Sequence, residues 1–199
     1  MKRMLYGSIL VALGLAAGCA ARAPARAGNP VILPGQSDYR VVMEGRSLVV
    51  GSIRRTIMHR GDWSFFEEVS NGERRRTLEN ADRSVVWSAQ WDAQEGHTRM
   101  WASHNTASAP TEKPRIERTP ETVLGRDCHW IDGRPGVQDI GQAQCVTADG
   151  LLLIEENITR GRLSSELRAV LITAGPTRLD DLAPGDDPFD PKTWGFPIP

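Results

Sequence analysis

The near absence of helical periodicity from residue 38 onward is the feature that most constrains the fold. Short runs rich in β-branched and aromatic residues dominate instead, and turn residues separate them. The clearest turn signals are Asn71-Gly72 and Asp149-Gly150, because Asn-Gly and Asp-Gly pairs favour tight hairpins. About ten such runs follow one another, which predicts a mainly all-β domain. We expect a curved antiparallel meander or a half-open β-barrel with little helix.

Individual runs predict strands and their faces. Residues 39–44 read as a first strand that ends at Gly45, and residues 47–59 read as one long strand with a bend at Gly51. Several runs are apolar on both faces, so the sheet is expected to curl around an apolar interior. The sequence has six tryptophans, and indole rings serve both as core and as walls of apolar sites. The tryptophans expected to line a hydrophobic ligand site are Trp63, Trp87, Trp91 and Trp101.

The N-terminus has the features of a targeting segment. Lys2 and Arg3 precede an apolar run over residues 7–17, which is too short to span a bilayer. Small residues then lead to Cys19, and this pattern resembles a bacterial lipobox. The resemblance implies cleavage before Cys19 and lipidation of its thiol and amine, and several acyl chains anchor a protein stably. An ordinary secretory peptide is the alternative interpretation.

These patterns predict the organisation and location of the chain. Residues 1–18 are expected to be a lipoprotein signal peptide and residues 19–37, rich in Ala, Pro and Gly, a flexible tether. Residues 38–199 are expected to form a single β domain with an irregular C-terminal tail. Ala20, rather than Asp, resembles an outer-membrane address, so we expect anchoring at the outer membrane facing the periplasm. Retention at the inner membrane is the alternative.

Charge argues against one class of partner. The formal net charge is −1, from 24 basic and 25 acidic residues, and nucleic-acid binding requires a basic excess. The run Arg74, Arg75 and Arg76 is interpreted as part of a solvated hairpin. A patch for phosphate or lipopolysaccharide is the sharper alternative.

Cys128 lies beside His129, and three interpretations compete for this pair: a nucleophile with its base, two metal ligands, or one half of a disulfide. Neighbouring residues of a strand point to opposite faces, so thiol and imidazole are separated. The spacing to Cys145 also lacks the grouping of a zinc or redox site. If Cys19 is lipidated in an oxidising compartment, Cys128 and Cys145 are left to pair. We expect no catalytic residue, no metal and no cofactor.

A family resemblance rests on the run ETVLGRDCHW, on CVTADGLLLIEE, and on the closing Pro188, Phe189 and Pro191. With the meander pattern over roughly residues 39–197, these segments resemble the LolA/LolB-like group of half-open β-barrels. The resemblance implies a fold that cradles lipid or acylated cargo, and it implies no catalytic residues.

Two non-enzymatic functions follow as expectations. The first is an envelope lipoprotein that binds a lipid, an acyl chain or another hydrophobic ligand in the curved sheet. The second is a structural or protein-interaction module anchored at the outer membrane. The expected partners are the membrane, through Cys19, and either a hydrophobic ligand or an envelope protein. An apolar cavity would favour the first function, and a filled core with exposed apolar side chains the second.

Overall fold

The computed structural model describes residues 38–81, 85–92, 96–104, 114–134, 140–175, 178–179 and 182–196. Cys19, the predicted signal peptide and the predicted tether lie outside the described residues. The described residues contain eleven strands and one 3₁₀ turn. These are β1 (Tyr39–Ser47), β2 (Gly51–Arg60), β3 (Trp63–Ser70), β4 (Glu73–Asn80), β5 (Val85–Asp92), β6 (His97–His104), β7 (Glu121–Val123), β8 (Arg126–Asp132), β9 (Ile140–Thr147), β10 (Leu152–Thr159), β11 (Arg162–Ala174) and the turn Pro191–Trp194.

All strands belong to one antiparallel sheet in the order β6-β5-β4-β3-β2-β1-β11-β10-β9-β8-β7. The chain forms two meanders, β1 to β6 and β7 to β11, and the pairing of β1 with β11 joins them. β6 and β7 form the two edges, so the sheet is unclosed. The prediction of a curved, mainly β meander is confirmed.

The sheet is concave on the face that carries Arg55. Arg55 lies on β2 and Glu155 on β10, with β1 and β11 between them. Three strand spacings amount to about 14 Å on a flat sheet, and side chains stand roughly perpendicular to a sheet. Yet Arg55 Nη1 donates to Glu155 Oε1 at 2.7 Å. The strands therefore curve toward one another on this side, which we call the concave face.

Turn chemistry sets the hairpins. Asn71 and Gly72 both have positive φ, 48° and 80°, as the type I′ turn of a two-residue hairpin requires. The turn at residues 48–50 was not predicted, and the expectation of one strand over residues 47–59 is wrong. Ser47 Oγ accepts hydrogen bonds from the amides of Val49 and Val50 at 3.1 and 3.5 Å. This local bonding competes with the strand ladder and reverses the chain.

Two hydrophobic clusters fill the domain. The first joins concave-face residues of β1 and β2 to residues of β7 to β11 and of the turn before β10. Its buried members are Tyr39, Val41, Met43, Ile53, Ile57, Val123, Cys128, Trp130, Ala143, Cys145, Leu151, Leu152, Leu153, Ile154, Leu167 and Ala169. The second lies on the opposite face of β2 to β5, beneath the C-terminal segment (residues 178–179 and 182–196). Its buried members are Met58, Phe65, Leu78, Val85, Trp87, Ala89, Leu179, Phe189 and Phe196.

Arginines hold the C-terminal segment on the sheet. Arg60 pairs with Asp187 at 2.7 Å and lies 4.4 Å above the Phe189 ring. Arg76 lies 4.2 Å above the ring of Trp194, and that ring stacks on Phe65 at 5.0 Å. An irregular segment thus covers an apolar sheet face that a helix or a second sheet covers in many folds.

Candidate functional site

The disulfide between Cys128 and Cys145 is present, with the two Cα atoms 5.3 Å apart. It links β8 to β9, and both cysteines are buried in the first cluster. Cys128 pairs across the sheet with Thr147, whereas His129 pairs with Val146. His129 therefore lies on the face opposite to Cys128, as strand alternation predicts, and the two side chains do not form a nucleophile–base pair.

The four tryptophans of the predicted ligand site do not share one surface. Trp63 and Trp87 stack at 5.8 Å and belong to the second cluster, beneath the C-terminal segment. Trp91 lies on the same face by alternation with Trp87 but is partly exposed. Trp101 pairs across the sheet with Ser88 and so lies on the concave side.

A buried polar cluster occupies the centre of the concave face, and Arg55 is its hub. Arg55 donates to Glu68 Oε2 from Nη2 at 2.7 Å and from Nε at 3.1 Å, and to Glu155 as above. Gln144 Nε2 and Asn157 Nδ2 each donate to Glu155 at 3.3 Å. The Asn157 amide also donates to Ser165 Oγ at 2.9 Å. Five strands, β2, β3, β9, β10 and β11, thus contribute to one network.

The environment of Glu155 keeps its carboxylate ionised. The side chain of Glu155 is 6% exposed and that of Arg55 12% exposed. Burial raises the pKa of Glu155, but the charge of Arg55 and the hydrogen bonds from Arg55, Gln144 and Asn157 outweigh it, so the pKa lies below its usual value. Arg55, Glu68 and Glu155 each have a partner of opposite charge inside the protein. Such a network fixes the packing of the strands.

The sequence around Glu155 does not by itself indicate this cluster, because acidic residues are mostly exposed in folded proteins. A signal was present in β2. Ile53 and Ile57 share one face, and alternation places Arg55 between them on that apolar face. A charge at such a position requires a partner of opposite sign. Its identity, Glu155 of β10, depends on a contact across 100 residues of sequence.

A groove opens at the end of the sheet where β1, β3 and β10 finish, which we call the distal end. Its volume is about 580 Å³, and it is open to solvent. Arg54 and Glu44, two of its lining residues, form an ion pair at 3.2 Å. The lining residues are Glu44, Gly45, Arg46, Ser52, Ile53, Arg54, Val69, Ser70 and Asn71.

Aliphatic side chains project beside this groove. Leu48 and Val49, on the turn between β1 and β2, are 80% and 86% exposed. The amide of Leu48 donates to the carbonyl of Ser164 at 2.8 Å, which places this turn against the β10–β11 hairpin and its exposed Leu163. We call Leu48, Val49 and Leu163, with the flanking Arg46, Arg160 and Arg162, the distal tip.

Among the residues that the structure describes, no group of three His, Cys, Asp or Glu side chains is arranged to hold a metal ion. None of the described helices is long and apolar enough to cross a membrane. Comparison of the sequence with models of protein families and with curated proteins finds no match.

Proposed function

We propose that this chain is a non-enzymatic interaction domain of a lipid-anchored envelope protein, and that it docks through its distal tip. The observation that carries this proposal is the exposure of Leu48 and Val49 on a turn that Ser47 holds in shape. Scattered exposed aliphatic residues are common, but adjacent ones at a hairpin turn, where polar residues are usual, favour a contact surface.

The residues on the concave face support the same choice. An acyl chain in the curved sheet would have to displace the Arg55 cluster or the side chains of the first hydrophobic cluster. Breaking a buried ion pair leaves an uncompensated charge, which costs several kcal/mol. A surface that is already exposed requires no such rearrangement.

The position of the predicted anchor suits a domain that docks through its far end. The tether joins the domain next to Tyr39, at the start of β1, and the tip follows Ser47 at the end of the same strand. A nine-residue strand is about 30 Å long. A flexible chain of the length of residues 19–37 has a root-mean-square extent of about 24 Å. The tip can therefore reach the membrane around the anchor point as well as a surface opposite that membrane.

Site-specific photo-crosslinking in intact cells tests this proposal. A photoreactive amino acid replaces Val49 in one full-length protein and Leu124, exposed on the β7–β8 turn at the opposite end, in the control. We expect a defined adduct, to lipid or to protein, from position 49 alone, and its loss when Leu48→Ser is added. Equal adducts from both positions, or none from position 49, would contradict the proposal.

A second candidate function is binding of a hydrophobic ligand beneath the C-terminal segment. The stacked pair Trp63 and Trp87 favours it, because the described residues that cover this apolar face belong to an irregular segment. If the segment lifts, a lipid or acyl chain would contact both rings. Quenching of tryptophan fluorescence by a brominated fatty acid, with native mass spectrometry of the purified protein, tests this function. Absence of both quenching and a bound lipid would exclude it.

A further inference from the structure

We propose that the surface bound by the distal tip is an anionic phospholipid bilayer. This inference deepens the proposed function and rests on it. The tip combines aliphatic side chains that are exposed to solvent with arginines that form no ion pair with the described residues, and these two properties together characterise proteins that dock on charged membrane surfaces.

The apolar part of the tip has the shape for shallow insertion. Leu48 and Val49 project from the narrow turn between β1 and β2, and Leu163 lies on the neighbouring hairpin, where Leu48 bonds to Ser164. A stable protein–protein interface usually buries about 800 Å² on each partner. Two convex turns offer few side chains for such a contact, whereas insertion between lipid headgroups needs only protruding apolar groups.

The charge of the tip is the second element. Arg46, Arg160 and Arg162 are exposed, and none of them forms an ion pair within the described part of the chain. Glu166, the cross-strand neighbour of Arg46, lies 3.8 Å from Arg168 instead. Glu44, the nearest acid on β1, pairs with Arg54 at 3.2 Å. Three positive charges thus surround the aliphatic group.

The groove at the distal end adds room for a headgroup. Arg46, Ser52 and Asn71 are among its lining residues, and charged and polar donors of this kind bind phosphate oxygens. The groove lies beside residues 48–50. A lipid whose phosphate binds in the groove would therefore have neighbouring lipids that contact Leu48 and Val49. Aliphatic insertion and phosphate binding would then occur on one membrane surface.

Reconstitution of the full-length protein in vesicles tests the inference. An environment-sensitive fluorescent amino acid replaces Leu48, and in a second protein it replaces Leu124 at the opposite end. The vesicles contain either phosphatidylcholine alone or equal parts of phosphatidylcholine and phosphatidylglycerol. We expect a blue shift of emission from position 48 only in the anionic vesicles, weakened by added salt, and no shift from position 124.

Substitutions of arginine give the charge dependence. An arginine near an anionic surface contributes about a fivefold factor to binding. Arg160→Ser should therefore lower the ratio of inserted to free tip about fivefold. The triple variant Arg46→Ser/Arg160→Ser/Arg162→Ser should lower it by about two orders of magnitude. Arg126→Ser, which makes the same change of net charge near Asp149 at the other end of the sheet, is the matched control and should leave the ratio unchanged.

Two results would overturn the inference. The first is emission from position 48 that is the same in both kinds of vesicle. The second is an equal effect of Arg160→Ser and Arg126→Ser. If position 49 nevertheless forms a defined adduct with a protein in cells, the interaction domain stands and its partner is a protein. If position 49 forms no adduct at all, the proposed function itself fails.

Discussion

Replacement of Arg55 by Met tests the role of the concave polar cluster. The change removes the positive charge that lies 2.7 Å from both Glu68 and Glu155, and it keeps a long apolar stem. Glu155 then stays buried, with Gln144 and Asn157 still donating to it but no opposite charge beside it. We expect the free energy of unfolding to fall sharply, because the folded state must hold an unpaired carboxylate.

The magnitude follows from burial. Removal of one partner from a buried ion pair costs about 3–5 kcal/mol, and a domain of this size is usually stable by about 5–15 kcal/mol. The Arg55→Met protein should therefore lose a large share of its stability at neutral pH. Arg54→Met is the matched control. Arg54 is the next residue of β2, its side chain is 58% exposed, and exposed ion pairs contribute about 0–1 kcal/mol.

The pH dependence should change sign between the two proteins. In the wild type the pKa of Glu155 is lowered, so its contribution is present above the unfolded-state pKa of about 4.3 and is lost on acidification. Without Arg55, burial dominates and raises this pKa above the unfolded value. The variant should then gain stability as the pH falls from about 7 toward 4.3, because protonation removes the buried charge.

Urea denaturation followed by tryptophan fluorescence measures both effects on the oxidised protein. The Arg55→Met/Glu155→Gln double variant closes a thermodynamic cycle. It should lose less stability than the sum of the single variants, with a coupling of about 0.5–3 kcal/mol. If Arg55→Met costs no more than Arg54→Met and stability falls with acidification in both, the cluster is not a buried charged network.

Three further predictions concern the rest of the sheet. The Cys128→Ser/Cys145→Ser variant should lose about 3 kcal/mol in chemical denaturation, because the disulfide closes a loop of moderate length in the unfolded chain, whereas an unchanged midpoint would contradict this. Gly45→Ala should lower the melting temperature severely or prevent folding, because a Cβ there would overlap the β11 backbone. Gly141→Ala is the control and should lower the melting temperature only slightly, because a Cβ there would make ordinary contacts. Burial lowers the pKa of His59. The stability that neutral His59 contributes to the fold is therefore present above the unfolded-state pKa of about 6.5 and is lost as the pH falls below it. His59→Phe should remove this part of the acid sensitivity, and a pH profile of stability identical to that of the wild type would refute it.

Local sequence was sufficient for the hairpin at Asn71-Gly72 and for the faces of β8. Asn71-Gly72 predicts its turn because both residues adopt positive φ easily, and the structure places a type I′ geometry there. Alternation likewise places Cys128 and His129 on opposite faces. These features depend on neighbouring residues alone, so a single sequence contains the information that determines them.

The turn at residues 48–50 shows where local reasoning failed. Val49 has high β propensity, Leu48 is apolar, and both were assigned to a strand, but β propensity reflects packing on a half-buried surface. Among the described residues, little packs on these side chains, and the Ser47 hydroxyl accepts the competing hydrogen bonds. An apolar pair in a turn is the exception, and the same exception makes the distal tip a candidate contact surface.

The pattern of strands and turns in the sequence does not predict contacts between distant parts of the chain. The partner of Arg55 could be found only once β11 had been placed beside β1, which brings β10 within reach of β2. The cover over Trp63 and Trp87 depends in the same way on the C-terminal segment, whose proline-rich sequence predicts only irregular structure. Its docking depends on Arg60 and Arg76, which lie on the strands beneath it.

The separation between the concave cluster and the distal tip allows each to be tested without the other. Arg55 pairs across the sheet with Met43, whereas the tip follows Ser47, four positions further along β1. That distance is about 14 Å, beyond the range at which substitutions usually couple. Arg55→Met should therefore lower stability and leave membrane docking of the remaining folded protein unchanged, and Arg160→Ser should do the reverse. If each variant changed both properties, the concave face and the tip would form one site, and the assignment of stability to the interior and binding to the tip would fail.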